Sequence, residues 1–354
     1  MKKILILFLS LIFVLSLAFM GIGCKAEPTT ETTAAAAETT AAAAETTAAA
    51  AETTAAAEGK QLSFVLDAPV GPNPFINHMI YGMDMAGKEL GVKVQWVAPT
   101  EQDTQLQITQ LMSVIAAKPD GIAILMQEPE PFQDAVKAMN DQGTAWGCFN
   151  TGPMGSGPQQ LFFIGANDTL GGKMIANRAL ADTGNKIVKY LMPNIAPGHQ
   201  AVKARYDGIR SVLDPLGIKG TEIDATIDTT ECYNRVKAFL IANPDTDVIF
   251  AVGSVHVSGE IKAINELGMQ GKVKVYMFDI DENVYPLIDD GSIIATIDQQ
   301  PFPQGYLSVM NLYLKVKYGI TPPPESLTGP ALIDKANLVN WKSEADAVTK
   351  LYGQ

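Results

Sequence analysis

The chain of 354 residues has only three cysteines and three histidines. Cys24 closes an apolar leader, which leaves Cys148 and Cys232 for the folded part. These two fall in different predicted halves, so the expectation is two free, partly buried thiols and no disulfide framework. His78, His199 and His256 are far apart, and none stands in an H-x-x-x-H or Cys/His spacing, so no metal motif is present. There is no G-x-S-x-G elbow, no P-loop and no G-x-G-x-x-G, which removes the usual marks of acyl transfer, nucleotide hydrolysis and dinucleotide binding. Asp279 and Asp281 are too close in sequence for a glycosidase pair, which reaches a bond from two sides. The reading is therefore non-enzymatic, with no cofactor. Positive charge is also short: 26 Lys and Arg stand against 38 Asp and Glu, and no basic run offers a phosphate track, which argues against nucleic acid. Beyond the leader no apolar run is long enough to span a bilayer, so the chain is not itself a permease.

The leader has Lys2 and Lys3, an apolar run from Ile4 to Met20, and Gly21 and Gly23 before Cys24, the plan of a bacterial export signal over residues 1–23. A small residue directly before cysteine resembles the lipobox of bacterial lipoproteins, which implies lipidation at Cys24 and a membrane-anchored, extracytoplasmic protein. Gly21 departs from the Leu most common at its place, and an uncleaved membrane anchor is the alternative. Residues 24–59 collapse to Ala, Thr and Glu, with Glu31, Glu38, Glu45 and Glu52 in a seven-residue repeat. Alanine is too small to fill a coiled-coil seam, so the segment reads as a tether with a reach on the order of 30 Å.

From Lys60 onward, strand and helix patterns alternate. Leu62 to Leu66 reads as a buried strand, and Ile76 to Leu90 as a helix stopped by Gly91. Thr104 to Ala117 carries Leu106, Ile108, Leu111, Met112 and Ile115 on a helical face. The cycle restarts at Lys186 and runs to Ile288. Such alternation predicts an α/β fold of two doubly wound parallel-sheet lobes. A further strand ends at Gln299 before Pro301, with an apolar helix expected from Tyr306 to Tyr318.

In open α/β sheets, ligands sit beyond the carboxyl ends of the strands. The residues there are Asn73 and Phe75, Gln127, Asn150, Ser254, Asp279 and Gln299, joined by Arg205 and Tyr233 on predicted helices. Side-chain amides and carboxylates suit neighbouring hydroxyls, and aromatic faces suit the C–H face of a sugar ring. Each residue has a plainer reading. Asn73 can belong to an Asn-Pro turn, Arg205 to a solvated helix face, and Tyr233 to helix packing. Asp279 is either a ligand group or a helix cap, and Asp281 is the better cap.

The segments Asn73-Pro74-Phe75, Lys118-Pro119-Asp120-Gly121-Ile122, Phe278-Asp279, Ala295-Thr296-Ile297-Asp298-Gln299-Gln300-Pro301 and Gly329-Pro330-Ala331-Leu332-Ile333, in this order, resemble the type I periplasmic binding proteins of the ribose and galactose class. The resemblance implies lobes of residues 60–166 with 299–328 and of 167–298 with 329–354, joined by a three-strand hinge. It implies a monomer that closes on a monosaccharide or similar polyol and presents it to the permease of an ABC importer. Asn73, Phe75, Arg205, Tyr233, Asp279 and Gln299 match binding positions, with Gln127 a looser match. Asn150 falls where the family commonly has Asp, Thr151 where ribose binders have Arg, and Ser254 where Asn is frequent, so the particular sugar stays open. A nucleoside or furanosyl signal, or a receptor subunit of a sensor, are the alternatives.

Overall fold

Helix limits in this protein are set by short polar residues at the start and glycines at the end. A computed structural model describes residues 60–153 and 159–352. The leader, Cys24 and the Ala/Thr/Glu tether lie outside the described residues. The first half runs β1 (Ser63–Asp67), α1 (Pro74–Leu90), β2 (Lys93–Val97), α2 (Thr104–Ala117), β3 (Gly121–Ile124), α3 (Gln133–Gln142), β4 (Ala145–Asn150) and β5 (Gln160–Ala166). It continues through α4 (Asp168–Thr183), β6 (Lys189–Asn194), α5 (Gln200–Leu213), β7 (Lys219–Asp224), α6 (Thr229–Ala242), β8 (Val248–Ala251), α7 (Val257–Glu266), β9 (Lys274–Phe278) and α8 (Tyr285–Asp289). The tail adds β10 (Ala295–Asp298), α9 (Pro301–Tyr318), β11 (Glu325–Gly329), β12 (Ala331–Asp334) and α10 (Leu338–Tyr352). Asn73, Asp103, Asn167 and Asp228 each accept a backbone N–H at a helix start, while Gly91, Gly143 and Gly184 take the left-handed conformation at a helix end.

These strands form two six-stranded sheets, ordered β11-β5-β4-β3-β1-β2 and β12-β10-β9-β8-β6-β7. All pairings are parallel except β10 with β12, which is antiparallel, a departure from the uniformly parallel expectation. Three connections pass between the sheets: β5 to β6, β10 to β11 through α9, and β11 to β12. Each sheet is covered on both faces by apolar layers, as buried parallel strands require. Cys148 and Cys232 are free, as expected, but both are fully buried in these layers instead of partly so.

Helix α9 begins at Pro301, five residues before the expected Tyr306. Proline is well suited to the first helical position, where its missing N–H has no partner to lose. The earlier start brings Gly305 against α1, where a Cβ would stand 1.9 Å from the Met79 carbonyl oxygen. The same device recurs in the second half. A Cβ on Gly172 of α4 would meet the Arg205 carbonyl oxygen at 2.2 Å, and one on Gly208 of α5 would meet that of Thr169 at 2.3 Å. This close approach of α4 and α5 places Arg205 next to the start of α4.

Asp67 ends β1 in a fully buried position. Its Oδ1 accepts from Gln107 Nε2 at 2.7 Å, and its Oδ2 has no partner. Burial pushes this carboxyl up to about 8, against the opposing pull of the Gln107 hydrogen bond. An unfolded aspartate ionises near about 3.9, so between these values the folded state binds the extra proton. The resulting stabilisation is complete below about pH 4 and is lost as the pH rises through about 8. Asp67→Asn removes this dependence. Melting curves from about pH 5 to about pH 8 are expected to fall more steeply for the parent than for the variant, and parallel profiles would refute the assignment.

Candidate functional site

A cavity of about 160 Å³ lies where the carboxyl ends of the two sheets face each other. Eight of the nine residues singled out from sequence line it: Asn73, Phe75, Gln127 and Asn150 from the first sheet's side, Arg205, Ser254 and Asp279 from the second, and Gln299 from the crossing between them. The ninth, Tyr233, does not line it. Its hydroxyl donates to Glu266 Oε2 at 2.5 Å and accepts from Lys237 Nζ at 2.8 Å, and the Lys262 ammonium lies 4.6 Å from its ring. Tyr233 thus packs on α7 through Lys262 and Glu266.

Asp279 follows β9 with φ of 72°, in the left-handed region that a residue with a Cβ seldom takes. It is not a helix cap. Asp281 closes the turn that leads into α8, accepting from Asn283 N at 2.8 Å and Val284 N at 3.1 Å. The Asp279 backbone stays tied to β10 by its N–H to the Ile297 carbonyl at 2.8 Å, and its carbonyl accepts from Thr296 Oγ1 at 2.6 Å. Its carboxylate is thereby turned toward the cavity, where Oδ1 accepts from Gln299 Nε2 at 2.5 Å and Oδ2 from Arg205 Nη1 at 3.4 Å.

Gln299 carries this network across the crossing. Its Oε1 accepts from Asn150 Nδ2 at 3.2 Å, and the same amide nitrogen donates to Gln304 Oε1 at 3.0 Å. Gln304 in turn donates from Nε2 to the Gln299 carbonyl at 3.0 Å and to Thr328 Oγ1 at 3.1 Å. The helix expected from Tyr306 leaves Gln304 outside it. The early beginning of α9 turns it inward, fully buried behind Asn150. Asn150 and Gln300 also have positive φ, of 59° and 54°, so three non-glycine residues at this crossing occupy the left-handed region.

Arg205 is 4% exposed, and the solvated-face alternative does not hold. Its Nε donates to Asp168 Oδ1 at 2.8 Å and its Nη1 to the Val252 carbonyl at 2.6 Å, with the guanidinium 4.7 Å from the Phe278 ring centre. Burial works against the charge, but the carboxylates of Asp279 and Asp168 outweigh it and hold the guanidinium well above its ordinary value. His199, which the sequence reading left out of the site, lines the same wall. Burial, helped by Arg205, pushes its imidazole down to about 4, and its Nδ1 accepts from Ala201 N at 3.2 Å. A neutral histidine beside a paired arginine leaves no free cation on that wall.

Asn73 has both of its readings. Its Oδ1 caps α1 by accepting from Phe75 N at 3.1 Å and Ile76 N at 3.0 Å, and the residue still borders the cavity. Gln127 accepts from Gln102 Nε2 at 3.1 Å, which adds Gln102 to the rim. No sequence motif marked Gln102, His199 or Asp168, since each reaches the site only through the packing of its helix or loop. Arg205→Met would leave two carboxylates buried without their cation, and a loss of about 3 to 5 kcal/mol in urea unfolding is expected. A change within about 0.5 kcal/mol, the usual scale for an exposed position, would contradict the buried ion network.

Comparison with known proteins agrees with this architecture. The family described as "Periplasmic binding protein domain" matches residues 64–319. The chain is 24% identical over 286 residues to a xylose/arabinose-binding protein of Sulfolobus acidocaldarius, covering 76% of this chain and 70% of that protein. It is 22% identical over 241 residues to a D-ribose/D-allose-binding protein of Pseudomonas aeruginosa, covering 64% and 72%. Among solved structures, a periplasmic sugar-binding protein of an ABC sugar transporter from Legionella pneumophila superposes with a TM-score of 0.71 at 27% identity, covering 76% of this chain and all of the other. A carbohydrate transporter from Acidothermus cellulolyticus in complex with myo-inositol shares the fold, with a TM-score of 0.72 at 23% identity and coverage of 82% and 100%. The chain belongs to the periplasmic binding protein family.

Proposed function

We propose that this protein is the extracytoplasmic substrate-binding component of an ABC importer, and that it closes its two lobes on a monosaccharide or similar polyol. The observation that carries the reading is the amide and carboxylate lining of the cavity at the strand ends, with Phe75 on one wall. Amides and carboxylates together offer the alternating donors and acceptors that a ring of hydroxyls needs, and Phe75 offers an apolar face. The charged groups around Arg205 are already matched to each other. An uncharged ligand therefore suits the cavity better than an ionic one. The proteins named above as binding xylose, arabinose, ribose and allose support the same class.

In this reading Asn73, Phe75, Gln127 and Asn150 hold the ligand from one lobe, Arg205, Ser254 and Asp279 from the other, and Gln299 from the hinge. The ligand favours the closed form by as much as it binds that form better than the open one. The closed lobes are the surface offered to the permease. The protein acts as a monomer and without turnover, residues 1–23 serve as its export signal, and a lipid on Cys24 with the 24–59 tether holds it at the membrane. The lobes are those of the hinge connections, 60–166 with 299–328 and 167–298 with 329–354. Among the described residues no helix is long and apolar enough to cross a membrane.

A thermal-shift screen of pentoses, hexoses, polyols and nucleosides identifies the ligand, because a compound at 100 times its dissociation constant adds about 2.7 kcal/mol to stability. A shift with nucleosides alone would overturn the sugar assignment. With the ligand known, calorimetry is expected to show Asp279→Ala weakening binding by about 1.5 to 3 kcal/mol, the scale of hydrogen bonds to a charged group. Tyr233→Phe is expected to leave the affinity unchanged, since that hydroxyl is held by Glu266 and Lys237. Equal losses in both variants would contradict the site. Cys24→Ala is expected to release the protein from the membrane fraction with ligand binding intact, whereas retention in that fraction points to an uncleaved anchor.

A further inference from the structure

The second lobe contains a group of side chains that ligand binding does not use. Cys232 on α6 and His256 and Glu260 at the start of α7 are all fully buried, and each offers a potential ligand atom within 4.8 Å of the others. His256 Nδ1 lies 2.9 Å from Glu260 Oε1, and Cys232 Sγ lies 3.9 Å from the same oxygen. The surroundings are apolar, with Ala225, Val236, Val257 and Ile261 in the same layer. Beyond that contact of His256 Nδ1 with Glu260 Oε1, neither His256 Nε2 nor Glu260 Oε2 has a hydrogen-bond partner. Buried polar atoms are rarely left this way, and a carboxylate in such a layer needs a compensating charge. Sequence spacing concealed the group because α6 and α7 are separated by β8 and meet only in the tertiary fold.

We propose that Cys232, His256 and Glu260 form a binding site for a divalent transition metal of the zinc class, fastening α6 to α7. A thiolate sulfur, an imidazole nitrogen and a carboxylate oxygen are the donor set that zinc and cobalt take, whereas calcium and magnesium select oxygen alone. Zinc bonds of about 2.0 to 2.3 Å in a tetrahedral site place the ligand atoms roughly 3.3 to 3.8 Å apart. The separations of 2.9 and 3.9 Å fall on either side of that range, so small side-chain rotations suffice. The charges also balance: one dication matches one thiolate and one carboxylate, with the histidine neutral. On binding, the cysteine S–H bond gives way to a metal–sulfur bond and the proton leaves to water. The loops that lead into α6 and α7 line the cavity at Ile227 and at Ser254 and Val255. Metal there holds the two loops that carry those residues.

The test uses the whole protein, stripped with a chelator and then given zinc or cobalt, both in the folded state and during refolding from urea so that a closed entry path is not taken for a missing site. Expected are one equivalent of bound metal, a raised melting temperature, and a thiolate-to-cobalt charge-transfer absorption. The absorption should vanish in Cys232→Ser and persist in Cys148→Ala. Glu260→Gln, which keeps the side chain's size, should bind zinc at least tenfold more weakly, with circular dichroism confirming its fold. Absence of the cobalt band from the parent protein overturns the proposal whatever the variants do. A band that survives Cys232→Ser, or an undiminished affinity in folded Glu260→Gln, overturns it as well.

Discussion

The structure depends on the hydrogen-bonded run from Asp279 through Gln299 and Asn150 to Gln304. It begins at the end of a strand in one sheet and ends at a helix packed on the other, so it spans one of the connections between the two sheets. Buried amides are costly unless both of their polar atoms are satisfied, and in this run each amide satisfies the next. That mutual dependence restricts the backbone as well. Asp279, Asn150 and Gln300 hold left-handed conformations that only well-packed surroundings sustain.

Arg205 complements this run electrostatically. The close crossing of α4 and α5 at Gly172 and Gly208 brings the guanidinium to Asp168, and its other edge meets Asp279. A buried cation between two carboxylates is strongly position-dependent, because removing any one member leaves an uncompensated charge. The same pairing satisfies the charges on that wall of the cavity within the protein itself. Pre-set donors and acceptors that are already oriented lose little entropy when a ligand arrives.

Much of this was legible in the sequence through local physical signals. Gly91 marked the end of α1, and alternation of strand and helix marked two parallel sheets. Strand ends pointed to Asn150, Asp279 and Gln299 because parallel sheets place their working residues there. The signals failed where a residue's direction depended on a partner remote in sequence. Pro301 read as the end of a strand and proved also to be the first residue of α9, and this turned Gln304 inward. Tyr233 matched a binding position, yet Lys237, Lys262 and Glu266 draw its ring and hydroxyl to α7.

By itself, the sequence determined the class of fold and the strand termini that border the cavity, because composition and periodicity act over a few neighbouring residues. Only the tertiary structure decided that Arg205 is a buried cation and that Gln304 supports Asn150. It alone brought Cys232 to His256 and Glu260. Each of these outcomes is a contact between elements far apart in the chain, and it is settled by which helix faces pack together and at what distance.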